Sequence, residues 1–336
     1  MTEVNKLTVS SSPHKRSEKT TTGIMLDVII ALAPAGIAAV IIYGLSALLV
    51  IAVSVAACVL AEFLSCKAMK KENTIGDLSA VVTGLLLAYN LPSNIDLWIV
   101  ILGAVIAIVV TKQMFGGIGQ NFLNPALAAR VILMSSFPGK MSAGAFTGLN
   151  KMGWQAGQLD GITTATPLGA VSLDGVADGA PTLMQLFLGT TSGCLGEVSA
   201  LALLIGGIYL VARKVISPII PCTYIGTVAV FMIFALKFDF YAVAYELLAG
   251  GLFLGAIFMA TDYTTSPITK KGKIVFGICL GIVTCLIRLW GSLPEGVSFS
   301  IILMNVFVPY IEDFTAPTPF GTIKEKKSKK EKKEEK

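Results

Sequence analysis

A hydroxyl-rich segment, DGITTATPL, occupies residues 160–168 of the 336-residue chain. A threonine hydroxyl in such a segment can accept a phosphoester, and the small neighbour Ala165 leaves room for a second enzyme to reach Thr166. The same composition is typical of a plain loop with Asx- and Ser/Thr-type turns that ends at a proline. The segment alone therefore predicts either a modification site or an ordinary turn.

Asn124 and Pro125 open a short apolar segment that contains Arg130. Asn suits the N-cap of a helix and Pro suits the first helical position. A helix N-terminus inside a membrane offers N–H groups and a positive dipole end to an electron-rich group, although simple capping of a re-entrant helix explains the pair equally well. A charge at the bilayer centre costs about 2.5–3.5 kcal/mol on insertion scales, so we expect Arg130 to have a partner or a function.

Asp262 follows an apolar run and precedes Thr264, Thr265 and Ser266. These oxygen atoms can coordinate a cation or bind a hydroxyl of a ligand, and they also fit a helix cap followed by a turn. Arg288 lies near a predicted helix end, where we expect its side chain to extend to the membrane surface. Three further acidic residues lie in or near apolar segments and are candidates for an ion path: Glu62, Asp77 and Glu246.

The elements that must position these residues are membrane helices. The chain is 54% hydrophobic and 14% charged, whereas soluble domains carry roughly 25% charged residues. The stretch from Ile24 to Leu60 contains a single charge, Asp27. A bilayer core about 30 Å thick needs about 20 helical residues, and helices satisfy every backbone polar group within the segment. The composition predicts an all-α integral membrane protein.

We predict about ten transmembrane helices, with short or broken helices among them. The predicted spans lie near 24–43, 45–66, 77–92, 96–112, 124–137, 196–214, 218–236, 241–261, 274–291 and 297–312. Between them are Gly- and Pro-rich breaks such as FGGIGQNFLNP. Broken helices at membrane depth normally line a cavity or a pathway.

Basic residues concentrate on one side of these spans, which indicates the cytoplasm. That side carries Lys15, Arg16, Lys19, Lys67, Lys70, Lys71, Lys112, Arg213, Lys214, Lys270, Lys271, Lys273 and the lysine-rich tail. Both termini are therefore expected in the cytoplasm, and the long loop outside it. The tail is typical of a solvated segment, and no basic patch with interleaved aromatic residues predicts nucleic-acid binding.

A weak internal repeat is visible in the order of segments. GLLLAYNLPSN, an apolar helix, Lys112 and NPALAARVIL are matched later by GAIFMATDYTTSP, an apolar helix, Arg288 and FSIILMNVF. Five spans on each side of the long loop give two inverted five-helix repeats, an architecture typical of transporters. The chain then divides into a cytoplasmic tail (1–23), the first repeat (24–137), an extracytoplasmic loop (138–195), the second repeat (196–312) and the lysine-rich cytoplasmic tail (313–336).

Metal and histidine chemistry have little support in the sequence. The six cysteines have no CxxC spacing, and the single histidine, His14, lies in the N-terminal tail. We therefore expect no metal ligands and assign no catalytic side chain.

The segment at 160–166 resembles the D-x-x-S/T-G-A-T motif, at which a dedicated flavin transferase attaches FMN through its phosphate to the final threonine. Asp160, Thr163, Ala165 and Thr166 fit this pattern, and Thr164 replaces the usual glycine. Three longer segments also resemble the D subunit of the Rnf complex, which is similar to the B subunit of the sodium-pumping NADH:quinone reductase. They are SPHKRSEKTTTGIMLDVIIALAPA, GGIGQNFLNPALAARVILMSSFP and FMATDYTTSPITKKGKIVFGI.

This resemblance implies an electron-transfer function in the cell membrane. Rnf complexes move electrons between ferredoxin and NAD and couple this to outward translocation of Na⁺ or H⁺. The implied cofactors are covalent FMN on Thr166 and a second, non-covalent flavin, either riboflavin or FMN, within the membrane region. Our candidate contacts for a flavin there are Asn124, Arg130 and Asp262. The implied partners are the A, B, C, E and G subunits and the flavin transferase. A secondary transporter or channel, and a scaffold subunit without a redox group, remain the alternatives.

Overall fold

The structure is a computed structural model, and it describes residues 19–141, 167–172, 175–176, 180–189, 191, 193–197, 199–291 and 296–317. Before the long loop, the helices are α1 (Thr21–Tyr43), α2 (Leu45–Ala68), α3 (Ser79–Tyr89), α4 (Leu97–Val105, continued as a π-helix over Ile106–Gln113) and α5 (Pro125–Ser136). The loop region contains α6 (Pro138–Met141), β1 (Val171–Ser172), β2 (Gly175–Val176) and α7 (Leu183–Leu188). After it come α8 (Ala200–Ala212), α9 (Ile219–Ala235), α10 (Phe240–Leu248), α11 (Leu252–Leu254, continued as a π-helix over Gly255–Met259), α12 (Lys270–Trp290) and α13 (Val297–Thr315).

The helix ends follow from local chemistry. Thr20, Asn124 and Thr269 accept hydrogen bonds from the first turns of α1, α5 and α12, which satisfies N–H groups that have no partner in the helix. Single 3₁₀ turns occur at Ile75–Asp77, Pro167–Ala170 and Leu195–Glu197. The two short strands pair antiparallel. Among the described residues, the prediction of an all-α fold is confirmed apart from this ladder and an isolated bridge between Pro92 and Cys194.

Several helices have the length and composition of membrane spans. Among the described residues, α1, α2, α12 and α13 qualify individually, and α10 together with Leu252–Met259 forms a fifth, bent by 62°. The other apolar helices, α3, α4, α5, α8 and α9, are 10–17 residues long. The prediction of a multi-pass membrane protein is confirmed. Helices fall in all ten predicted segments, but the count of ten crossings stays a prediction.

The same packing pattern occurs before and after the loop. In the first half, α2 packs on α3 and α4, and the π-helical end of α4 packs on α5. In the second half, α12 packs on α9 and α13. The first helices of the two halves, α1 and α8, pack against each other. The fourth helix of each half therefore contacts the second and the fifth.

The contact between α1 and α8 depends on a glycine. A Cβ atom on Gly206 would overlap the carbonyl oxygen of Ala31 in α1. Small residues allow membrane helices to approach this closely. Gly206 is therefore a packing residue at the junction of the two halves.

We predict that Gly206→Leu destabilises the protein, because overpacking typically costs about 1–3 kcal/mol or more. Gly226→Leu in α9 is a matched control, since a Cβ atom there meets no atom within 4 Å. Thermal stability in detergent, followed by fluorescence-detected size exclusion, measures both variants. Equal stability of the two would contradict the close approach of α1 and α8.

Candidate functional site

A cavity of about 370 Å³ lies between the two halves. The first half contributes α1, α3, the end of α4 and the start of α5, and the second contributes α8 and the segment around Asp262. Its polar wall residues include Ser79, Thr83, Lys112, Asn121, Asn124, Thr261, Asp262 and Thr264. Two of the residues singled out in the sequence, Asn124 and Asp262, therefore meet at one cavity although they lie in different halves.

Asn124 caps α5 and also joins the halves. Its Oδ1 atom accepts hydrogen bonds from the N–H groups of Ala126 (3.1 Å) and Leu127 (3.3 Å), and its Nδ2 atom donates to the carbonyl oxygen of Met259 (3.4 Å). Its backbone N–H donates to the side-chain oxygen of Asn305 in α13 at 3.2 Å, in the amide orientation that satisfies Asn305. The capping interpretation is correct for this residue. Two of the N–H groups expected to face a ligand are already bonded to the cap.

Asp262 is half-buried and accepts hydrogen bonds from two neighbouring hydroxyl groups. Thr264 and Thr265 donate to its Oδ2 atom at 3.1 and 3.4 Å. Burial raises the pKa of this carboxyl, and the two hydroxyl groups partly offset the rise. The next residue, Tyr263, donates to the carbonyl oxygen of Val215, so the segment is tied to the loop after α8. Asp262 therefore lies in a turn between two helices, without capping either, and it also lines the cavity.

A buried ion pair supports the cavity wall at the end of α4. The Lys112 Nζ atom lies 2.8 Å from the Glu62 carboxylate and 2.6 Å from the Ser79 hydroxyl oxygen. Glu62 also accepts hydrogen bonds from Thr74 (2.7 Å) and Gln113 (3.1 Å). From the sequence, Lys112 is counted among the lysines of the cytoplasmic side. Its side chain is only 4% exposed and lies inside the protein. The π-helical end of α4 carries this lysine toward α2, and an isolated lysine in an apolar run was the only sequence signal.

Arg130 has the hydrogen-bond and ion-pair partners that we expect for a buried charge. Its guanidinium group donates to Asn90 at the end of α3, to the Cys194 sulfur (3.6 Å) and to the Glu197 carboxylate (3.4 Å). Burying a charge is tolerated when it is paired and hydrogen-bonded. Arg130 therefore fixes α5 to the end of α3 and to the turn before α8. It does not line the cavity.

The expectation that Arg288 reaches the membrane surface is wrong. Its side chain is 2% exposed and lies 2.9 Å from the Glu246 carboxylate. It also donates to the carbonyl oxygens of Glu246 (2.7 Å) and Ala249 (3.4 Å), which are left without helical partners where α10 breaks. Gly250 has φ +73° at this break, a conformation that favours glycine. Arg288 is therefore a buried cap of the broken helix.

The predicted attachment segment is only partly described. Asp160, Thr163, Ala165 and Thr166 lie outside the described residues. Leu168, two positions after Thr166 in the sequence, is buried and packs with Leu186, Tyr245 and Ala249. The chain after the predicted acceptor is thus anchored on α10, close to the helix break capped by Arg288.

Comparison with known proteins identifies relatives over nearly the whole chain. The model of the NQR2, RnfD, RnfE family matches residues 8–321. The D subunit of the Na⁺-translocating ferredoxin:NAD⁺ oxidoreductase complex of Acetobacterium woodii is 48% identical over 332 residues, covering 98% of this chain and 100% of that protein. The D subunit of the proton-translocating ferredoxin:NAD⁺ oxidoreductase complex of Clostridium ljungdahlii is 42% identical, covering 95% and 97%. The D subunit of the ion-translocating oxidoreductase complex of Actinobacillus succinogenes is 34% identical, covering 93% and 97%.

We predict that Arg130→Ala and Arg288→Ala both lower stability strongly, because removing one partner of a buried ion pair costs about 3–5 kcal/mol. Arg213→Ala is the matched control: its pair with Asp27 is largely exposed on the arginine side, at 60%, and exposed pairs contribute about 0–1 kcal/mol. Unfolding midpoints in detergent compare the three variants. If Arg288→Ala behaved like Arg213→Ala, the arginine would be reaching the membrane surface after all.

Proposed function

Because the chain belongs to the NQR2, RnfD, RnfE family, we propose that it is a membrane redox subunit of an Rnf-type ion-translocating ferredoxin:NAD⁺ oxidoreductase. In this role it takes part in electron transfer between ferredoxin and NAD, coupled to outward movement of Na⁺ or H⁺. The near-complete coverage of relatives named as D subunits supports this assignment. One of these relatives is named for Na⁺ and the other for protons, which matches the two proposed coupling ions. The proposed partners are the A, B, C, E and G subunits.

The proposed covalent cofactor is FMN, attached by a flavin transferase through its phosphate to Thr166. The attachment segment offers the acceptor hydroxyl, the preceding Asp160 and Thr163, and a small residue at Ala165. Anchoring of Leu168 on α10 supports this proposal, because the chain next to the acceptor then has a fixed place on the protein. A flavin exchanges one or two electrons, and the protein binds and orients it.

A second, non-covalent flavin, riboflavin or FMN, is proposed for the cavity between the halves. The observation that carries this proposal is the meeting of Asn124 and Asp262 at one cavity. Its volume of about 370 Å³ lies within the range of about 300–1,000 Å³ of ligand pockets. Apolar residues such as Phe258, Leu86 and Val82 suit a flat ring system, and the hydroxyl, amide and carboxyl groups suit its polar edge and side chain. Lys112 also lines the wall, where the ion pair with Glu62 fixes its ammonium group.

The proposed topology has ten crossings in two inverted five-helix repeats, in the cell membrane. Both termini then lie in the cytoplasm and the flavin-bearing loop lies outside. The repeated packing of the fourth helix on the second and fifth helices supports the repeat. So do the two basic residues at the ends of the fourth helices, Lys112 and Arg288, each buried against a glutamate.

The alternatives make different demands on the chain. A secondary transporter or channel also uses broken helices and a central cavity, but it has no need of a flavin acceptor. A scaffold subunit needs neither the acceptor nor the cavity. Flavin content therefore separates the redox subunit from both alternatives.

We predict that Thr166→Ala abolishes covalent flavin while the chain still inserts into the membrane, because the phosphoester needs a hydroxyl at that position. The protein is produced with its flavin transferase, denatured, and examined by in-gel fluorescence and peptide mass. Thr163→Ala and Thr164→Ala are the controls, and they should weaken attachment without removing the acceptor. A Thr166→Ala chain that still fluoresced, or a wild-type Thr166 peptide without the FMN mass, would overturn the proposal.

We predict that Asp262→Asn lowers retention of the non-covalent flavin about ten- to a hundredfold, since hydrogen bonds to charged groups contribute about 1.5–3 kcal/mol. The flavin released on denaturation is quantified against the flavin that stays on the chain. Asp96→Asn serves as the control, because Asp96 pairs with exposed Lys140 and does not line the cavity. Covalent flavin should be unchanged in both variants, and unaltered release from Asp262→Asn would remove Asp262 from the site.

A further inference from the structure

A second cavity, also about 370 Å³, lies beside the first. It is formed by the end of α8, the loop that leads into α9, the segment around Tyr263 and the first turn of α12. Of the oxygen-rich cluster singled out from the sequence, Ser266 lines it and Asp262 does not. The two cavities share part of a wall, made of Val215, Ile216, Thr261 and Tyr263.

The second cavity is positively charged. Lys214 and Lys273 both line it, and neither ammonium group forms an ion pair or hydrogen bond with a described residue. Two hydroxyl groups, from Ser217 and Ser266, lie in the same wall. The N-terminus of α9 adds its positive dipole end at Pro218. These groups together provide charges and donors for an anion with several oxygen atoms, such as a phosphate.

The rest of the wall is apolar. Val211, Ile216 and Ile220 line the cavity, and next to Lys273 the side chain of Ile274 is 42% exposed on the outer face of α12. The cavity also lies where α8 ends and where α9 and α12 begin, which for membrane helices is the level of the lipid headgroups. A ligand suited to this site has a phosphate joined to an apolar stem.

We infer that the second cavity binds the headgroup phosphate of an anionic phospholipid. Basic pockets between transmembrane helices are sites for such headgroups, and each lysine near a lipid surface contributes about 1 kcal/mol. Lipid is favoured over a soluble phosphate because the exposed apolar surface beside Lys273 continues the path of an acyl chain. This inference does not depend on either proposed flavin.

Lipid binding here also affects the first cavity. Tyr263 lines both cavities and donates its hydroxyl to the Val215 carbonyl oxygen. The hydrogen-bonded pair of Tyr263 and Val215 is therefore a partition between the two cavities. A headgroup against Lys214 and Lys273 holds both sides of this partition in place, so the lipid stabilises one wall of the proposed flavin cavity.

The test is native mass spectrometry of the full-length chain, delipidated in detergent and then given phosphatidylglycerol or phosphatidylcholine with identical acyl chains. We expect the wild-type chain to retain one phosphatidylglycerol in preference to phosphatidylcholine. Lys214→Gln and Lys273→Gln should each weaken this retention about fivefold and together about twenty-five-fold, from about 1 kcal/mol per lysine. Lys271→Gln, an exposed lysine in the same turn of α12 that does not line the cavity, should leave it unchanged.

Each other outcome contradicts the inference. Equal retention of the two lipids by the wild-type chain overturns the inference. This outcome needs no variant, so the inference can be tested even if a variant fails to fold. Unchanged phosphatidylglycerol binding in the double variant places the lipid elsewhere. Displacement of phosphatidylglycerol by millimolar FMN or inorganic phosphate, with the same lysine dependence, assigns the cavity to a soluble phosphate instead.

Discussion

A charge or an open backbone group inside a bilayer must find its partner within the protein, and this chain meets that demand at its helix breaks. Arg288 bonds the carbonyl oxygens that are released where α10 ends, and it pairs with Glu246 from the same segment. Lys112 lies in the π-helical end of α4 and pairs with Glu62 of α2. Breaks in membrane helices are tolerated only where neighbouring groups satisfy the freed backbone. The buried pairs are therefore what permits these breaks, and the one at Lys112 borders the cavity.

These breaks also decide what the cavity presents to a ligand. Asn124 uses its side chain to cap α5 and to bond the carbonyl oxygen of Met259. The cavity wall at this point is therefore held by hydrogen bonds between a side chain and the backbone. Asp262 is oriented by hydroxyl groups from its own turn. Polar groups fixed in this way keep their direction when the cavity fills, which suits the binding of a flat cofactor with a polar edge. The same fixed polar groups would also suit the substrate site of a transporter. The proposed flavin site is therefore argued from the chemistry of the wall residues as well as from the shape of the cavity.

The local features were predictable from the sequence, and the long-range pairs were not. Apolar blocks and the Asn124-Pro125 signal indicated the helices and the cap of α5, because both depend on neighbours in the chain. The Lys112–Glu62 pair joins residues 50 positions apart, and no periodicity indicates such a contact. Arg288 was placed at the surface because a basic residue near a helix end usually extends there, and the carbonyl oxygens of a broken neighbouring helix reverse that preference. Asp160, Thr163, Ala165 and Thr166 lie outside the described residues, so Thr166 stays a prediction from motif likeness.

The strength of the contacts differs within and between the halves. Lys112–Glu62 lies within the first half and Arg288–Glu246 within the second, and breaking such a buried pair costs about 3–5 kcal/mol. Across the cavity, the described bonds of Asn124 to Met259 and Asn305 are neutral, and neutral hydrogen bonds contribute about 0.5–1.5 kcal/mol each. Ion pairs also join the halves, between Arg130 and Glu197 and between Asp27 and Arg213, but none of these four residues lines the cavity. Lys112 and Asp262 face the same cavity from opposite halves, so a charged ligand inside it acts on the two halves with opposite sign. Under the proposed function, a flavin in this cavity would therefore be held by charged groups from both halves.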